Sequence, residues 1–201
     1  MRILLYSAIA TSFVASSAFA AKYEIDKAHT HVSFTAPHLV VSKVKGRFHQ
    51  VAGAFDFDET SMKLQDVDIT IKTASLNTEE ADRDKHLKSP DFFDVTKFPD
   101  MTFKSTKVEY EKGKPEKVEG ELTIRGITKK VTLEVDYKGA VTDPWGNRVV
   151  AFDAETKVNR KDFGMVWNKA MDKGGFVVGD DIKIEIEGEA KLASSAVPKK
   201  K

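Results

Sequence analysis

Apolar and polar residues alternate along most of this chain with a period of two, the repeat of a strand that turns one face to a core and the other to water. Val32, Phe34 and Ala36 share a face, as do Val51, Gly53, Phe55 and Phe57, followed by Val67, Ile69 and Ile71. Farther along come Met101 and Phe103, then Val108 and Tyr110, where the phase changes and predicts a bulge near Thr106. Val118, Gly120, Leu122 and Ile124 alternate with Glu119, Glu121, Thr123 and Arg125. The pattern returns in Val131, Leu133, Val135 and Tyr137, in Val150, Phe152, Ala154, Thr156 and Val158, and in Ile182, Ile184, Ile186 and Gly188. Residues with Gly, Pro or Asp turn chemistry separate the runs at 112–115, 125–127 and 143–147.

So many strands on short connections predict an all-β chain, an antiparallel meander of about eight strands with one apolar face. Curling it into a closed barrel covers that face and removes the edges, whereas a two-sheet sandwich carries the same alternation and stays open at this point. Residues 74–103 break the pattern and predict one short helical insertion. Asn77 or Thr78 would cap its first turn, with Glu79 and Glu80 at the N-terminal end and Lys85, His86 and Lys88 at the other. Pro90 ends that turn or opens a second, and the adjacent Phe92 and Phe93 come next. A short polar helix has no core of its own, so both rings must pack against the sheet, either as plain core or as a plug across the open end of the strands.

Composition narrows the setting. With 201 residues and no cysteine, the chain predicts one domain held by packing alone. Residues 1–20 carry Arg2, an apolar run and small residues at Ala18 and Ala20, which predicts a secretory leader cut after Ala20. The run is too short for a good spanning helix, so no stable membrane anchor is expected. The barrel then occupies residues 21–192, and residues 193–201, ending in Pro198 and three lysines, form a disordered tail. Arg2 aside, the basic residues balance the 31 acidic ones, which speaks against a nucleic-acid partner.

Catalytic chemistry is thin. Of the five histidines, His29 and His31 fall on one side of a strand and could begin a metal site, but no cysteine and no H-E-x-x-H spacing support them, and no metal is assigned. There is no nucleophile elbow and no phosphate loop. Glu79, Glu80, Asp82, Asp84 and His86 are interleaved with Arg83 and Lys85, the pattern of a solvated helical face. No residue is assigned as catalytic, and the chain is not expected to be an enzyme.

Large rings in loops or at strand ends are what remains: Phe48, Phe92, Phe93, Trp145, Phe163 and Trp167. Of these, Phe163 and Trp167 share the 160–168 connection with Met165 and would rim an apolar opening, or cap the core from outside; all six rings are candidates. Together with the inward Phe34, Phe55, Ile69, Ile71 and Phe103, then Leu122, Ile124, Leu133 and Phe152, and with Leu39, they make up the candidate ligand-binding set.

Several ordered pieces carry a resemblance. They include Tyr23-Glu24-Ile25-Asp26, Val44-Lys45-Gly46-Arg47-Phe48 and Arg83-Asp84-Lys85-His86-Leu87 with Asp91-Phe92-Phe93-Asp94. The second half adds Gly120-Glu121-Leu122-Thr123-Ile124-Arg125-Gly126, Asp143-Pro144-Trp145-Gly146-Asn147 and Arg160-Lys161-Asp162-Phe163-Gly164 with Trp167-Asn168. From about residue 23 to residue 190 the chain resembles the YceI-like family of bacterial exported lipid-binding proteins, departing at Lys27, where the family often has proline. The resemblance implies an extended lipocalin-like barrel in the periplasm, commonly a homodimer, with no established catalytic step. Its interior would hold a long isoprenoid or quinone-like lipid as ligand, with no other cofactor. Two other functions stay open: an enzyme acting on such a lipid through His38, His49 or His86, and a structural or stress-response protein whose barrel is simply filled.

Overall fold

The computed structural model describes residues 20–172 and 174–193. Of the expected leader, 1–20, and the expected tail, 193–201, residues 1–19 and 194–201 lie outside the described residues, while Ala193 is buried and its N–H donates to the Lys22 carbonyl at 2.8 Å, so it belongs to the barrel. The strands are β1 (Ala21–Ile25), β2 (His31–His38), β3 (Ser42–Phe48), β4 (Val51–Asp58), β5 (Lys63–Lys72) and β6 (Leu76–Asn77), then, after helix α1 (Ala81–Lys88), β7 (Asp100–Glu111), β8 (Lys114–Ile124), β9 (Ile127–Thr142), β10 (Arg148–Asn159) and β11 (Asp181–Leu192). All pairings are antiparallel, and β1 on β11 closes the sheet on itself.

Three of the long strands are broken. β1 and β2 both lie along β11, and they pair on their other side with β4 and β3. β4 and β3 pair in turn with β5 and β6, which the 3-10 turn Thr73–Ser75 separates. With each broken pair taken as one strand, the molecule is a closed eight-stranded up-and-down barrel, in which every strand sits beside its neighbours in sequence. The barrel, not the sandwich, is the architecture, and closure leaves the long strands without an exposed edge over most of their length. The predicted bulge is present: the register of β7 on β8 shifts between Ser105 and Lys107, which puts Val108 rather than Lys107 on the face of Phe103.

The two ends differ. One, the floor, holds the turns at 59–62, 112–113 and 143–147 and is closed by polar and aromatic side chains. The Tyr23 hydroxyl donates to Glu59 at 2.5 Å, and the Arg148 guanidinium grips the same carboxylate with two of its nitrogens. Tyr23 stacks on Phe55 with ring centres 5.9 Å apart, and Phe57 leans on Tyr137 at 5.3 Å. Burial, then the hydrogen bond to Glu59, hold the Tyr23 phenol well above its usual range, while the hydrogen bonds from Arg148 lower Glu59.

The other end, the cover, carries the hairpin turn at 39–41, the segment 78–99 with α1, and the long connection from 160 to 180. Glu80, not Asn77 or Thr78, caps α1: its carboxylate accepts from the Asp82 and Arg83 N–H groups at 3.2 and 2.6 Å. Glu79 at φ 63° turns the chain before the helix can begin. Asn77 is thereby left to bind the Glu79 N–H, and Thr78 donates both its N–H and its hydroxyl to Asp84. No residue of α1 is buried, so the segment is held by the rings of Phe92 and Phe93 just beyond the helix. Among the described residues no helix is long and apolar enough to cross a membrane.

Candidate functional site

The barrel is hollow because its largest inward rings lie over glycines. A Cβ at Gly46 would come within 2.4 Å of the Phe34 ring, one at Gly120 within 2.4 Å of Phe103, and one at Gly188 within 2.7 Å of Phe152. Each ring rests on a neighbouring strand that has no side chain there, which leaves a cavity of about 230 Å³ in the lumen. Pro115 and Ile124, near opposite ends of β8, both line it. At about 3.3 Å per residue and a strand tilt near 40°, that places roughly 20 Å of barrel axis between them.

Phe34, Phe48, Phe55, Ile69, Ile71, Phe92, Phe93, Phe103, Leu122, Ile124, Leu133 and Phe152 lie on the cavity wall. All but Phe92 and Phe93 are on strands and face inward because a side-chain period of two, once set by pairing, fixes the face of every second position. The polar groups on the wall are few: Thr30, Ser33, Thr156, Tyr137 and Arg160. Arg160 is 2 % exposed, yet its guanidinium is spent on the protein itself. It donates to the carbonyls of Gly179 at 3.0 Å, Met165 at 2.5 Å and Trp167 at 2.8 Å, and to the Asp180 carboxylate at 2.9 Å. It therefore shapes the connection that closes the cover end and has little left to offer a ligand.

Phe92 and Phe93 join the cover to the wall. Phe92 is 5 % exposed, while Phe93 is half-buried and meets Phe48 edge-on at 5.5 Å. Leu87, the one large apolar residue of α1, also reaches the cavity. On the outside, His86 stands edge-on to Phe92 at 5.0 Å and to Trp167 at 4.7 Å, and its Nε2 bonds Asp91 at 2.9 Å. These contacts latch the α1 segment to the 160–180 connection.

Four candidate residues do not reach the wall. Trp145 is 84 % exposed at the floor end, because its turn is held by the Asp143 carboxylate accepting from the Trp145 and Asn147 N–H groups, which leaves the indole outside. Leu39 sits in the hairpin turn at φ 52° and is exposed. Phe163 is buried in the 3-10 turn Arg160–Phe163, which packs against β9 where β9 and β10 stop pairing beyond Glu134 and Glu155. Trp167 lies behind Phe92, one layer out from the cavity. Leu87 and Arg160 were missed as site residues. A lone leucine on a polar helix was a usable signal for the first; nothing in the local sequence marks the second.

The histidines stand off the cavity. His29 does not pair with His31 but with Asp26, Nδ1 to Oδ2 at 2.8 Å, and lies near Glu189, so these three could in principle offer ligands to an ion. Lys191 holds the same Asp26 oxygen at 2.7 Å, which compensates the carboxylate. With that lysine and His29 donating to it, Asp26 is held well below the usual carboxylate range. The cluster fastens the break between β1 and β2 to β11.

Comparison with known proteins agrees with this geometry. The family model of the YceI-like domain matches residues 23–190. Protein YceI of Shigella flexneri is 43 % identical over 178 residues, covering 88 % of this chain and 91 % of the relative. The crystal structure of the Campylobacter jejuni YCEI protein superposes with a TM-score of 0.66 at 35 % identity, over 78 % of this chain and 90 % of that one. A polyisoprenoid binding domain from Saccharophagus degradans shares the fold at a TM-score of 0.62 and 11 % identity, over 87 % of this chain and 99 % of that one.

Proposed function

Because the chain belongs to the YceI-like family, we propose that it is a periplasmic lipid-binding protein that holds the tail of a long-chain isoprenoid or quinone-like amphiphile inside its barrel, as a carrier or scavenger. The observation that carries the reading is the wall itself, an elongated lumen lined almost entirely by aliphatic and aromatic side chains. Each methylene moved from water into it contributes about 0.8 kcal/mol, so a long tail binds without any specific polar contact. The one buried cation on the wall is spent on main-chain carbonyls and Asp180, which leaves the ligand's head group at an end of the barrel rather than within it. The Saccharophagus degradans domain, described as polyisoprenoid-binding, has the same fold, and the chemistry of the lumen is this chain's own.

The cavity, about 230 Å³, is smaller than the roughly 300–1,000 Å³ of ordinary ligand pockets, so a long tail must push lining rings or the cover outward. No carboxylate or imidazole lies among the wall residues, which favours holding a lipid over transforming it. A paired substitution tests the reading. Phe152→Asp puts a charge on the wall, whereas Asp153→Ala changes its outward neighbour, which bonds Lys138 at 2.8 Å. Among folded variants, only the first should lose lipid. Equal retention by both would mean that the barrel is filled by its own side chains and binds nothing.

A further inference from the structure

The tight hairpin turn between β2 and β3 takes left-handed backbone at residues poorly suited to it. Leu39 and Val40 both have positive φ, 52° and 66°, a conformation natural to Gly and Asn and costly for a β-branched residue. The turn holds apolar side chains out in water: Leu39, Val40 and Val41 are 40, 73 and 89 % exposed. The 160–180 connection meets it there. The Leu39 N–H donates to Val177 at 2.9 Å, and a Cβ at Gly175 would touch both Val40 and Met171 at 3.1 Å. Phe176, next in sequence, is 57 % exposed and extends the same patch.

This patch crowns the cover end. Ala36 and Val178, both on the cavity wall, lead into it from β2 and from the connection, and His38 bridges Val178. Outward-facing Lys43 and Lys45 on β3, together with Lys169, flank it and enter no ion pair among the described residues; of the three acidic residues of the same connection, Asp180 is paired with Arg160 and Lys161, Asp162 lies in the 3-10 turn, and Asp172 is near the patch. An apolar tip collared by free lysines, on a chain of nearly balanced charge, matches a bilayer surface: apolar side chains enter the acyl boundary while ammonium groups meet anionic head groups.

We propose that the cover end docks on anionic phospholipid bilayers, with residues 39–41 and Phe176 dipping into the surface, so that a lipid tail passes between bilayer and lumen without crossing water. The inference rests on the reading that the lumen holds a lipid tail. The variant Leu39→Asn with Val40→Gly is the decisive one, because it relieves the strain and removes two of the four apolar side chains of the tip together. The docking account expects it to unfold at a higher urea concentration than the parent. It also expects about tenfold weaker flotation with vesicles of phosphatidylcholine and phosphatidylglycerol. Parent flotation should fall with added salt and with pure phosphatidylcholine.

Flotation equal to the parent's overturns docking. So does a variant that floats normally but sediments as a monomer where the parent is a dimer, which would assign the patch to contact between copies. Uptake of retinol from solution without vesicles is measured alongside and should be the same in variant and parent. If the parent itself takes up no retinol or isoprenoid from solution, the lumen reading fails, whatever flotation shows.

Discussion

Replacing the two rings that tie the cover to the barrel, Phe92→Ala with Phe93→Ala, separates a gate from a plain core. Phe92 is 5 % exposed and Phe93 half-buried, and α1 itself adds only the partly buried Leu87. Burying a phenylalanine fully contributes about 1.5–3 kcal/mol, so the pair holds the cover by roughly 3–4 kcal/mol. If the α1 segment opens as a unit of its own, the substitution raises the open population by two orders of magnitude or more, at about 1.4 kcal/mol per tenfold. Release of a bound fluorescent polyene into excess vesicles, monitored by stopped flow, should then quicken about a hundredfold. Urea unfolding of the barrel should change far less than the two full core truncations would require, each worth about 3–5 kcal/mol. A stability loss of that larger size with an unchanged release rate would mean that the rings are ordinary core and that no gate exists.

Other consequences can be checked on the same protein. Gly188→Ala should drive the Phe152 ring into the lumen, so it should weaken polyene binding while leaving the unfolding midpoint nearly unchanged; a calorimetric titration equal to the parent's would mean that the tail never reaches this part of the barrel. Arg160→Lys cannot reproduce the forked contacts to Met165, Trp167, Gly179 and Asp180 and should cost several kcal/mol in urea unfolding. Glu59 has its folded pKa depressed by Arg148, so its stabilising contribution is complete above the ordinary value of 4.5 and is lost as pH falls through the folded value. Acid titration of unfolding free energy should therefore be shallower below about pH 4.5 in Glu59→Gln than in the parent, and parallel curves would refute the role given to this pair.

Alternation made the inward faces legible, and the phase change after Phe103 located the bulge, because one extra residue must flip every later side chain. The breaks in the long strands at 26–30, 49–50 and 73–75 were not legible. The first two also shift the inward phase, from Ile25 to Val32 and Phe34 at the first break and from Phe48 to Val51 and Phe55 at the second, a shift that an ordinary turn between two strands would carry as well. The wall residues on strands were readable from the alternation, whereas Leu39, Trp145, Phe163 and Trp167 sit in loops, where no period assigns a side. Ring size alone made the three aromatics among them look like site residues. The shift of the α1 cap to Glu80 depends on the positive φ of Glu79, a backbone choice that side-chain type does not announce. Arg160 was hidden because its partners are mostly main-chain carbonyls, which every sequence supplies.

In the cell, an apolar tail should occupy the lumen. The direct measurement is isolation of the protein from its own host without denaturant, then solvent extraction and mass spectrometry of the extract against protein amount. The account predicts a stoichiometric isoprenoid-type lipid from the parent and its loss from folded Phe152→Asp. A folded parent that yields no lipid, or one that yields a substrate together with its chemically altered product, would contradict it.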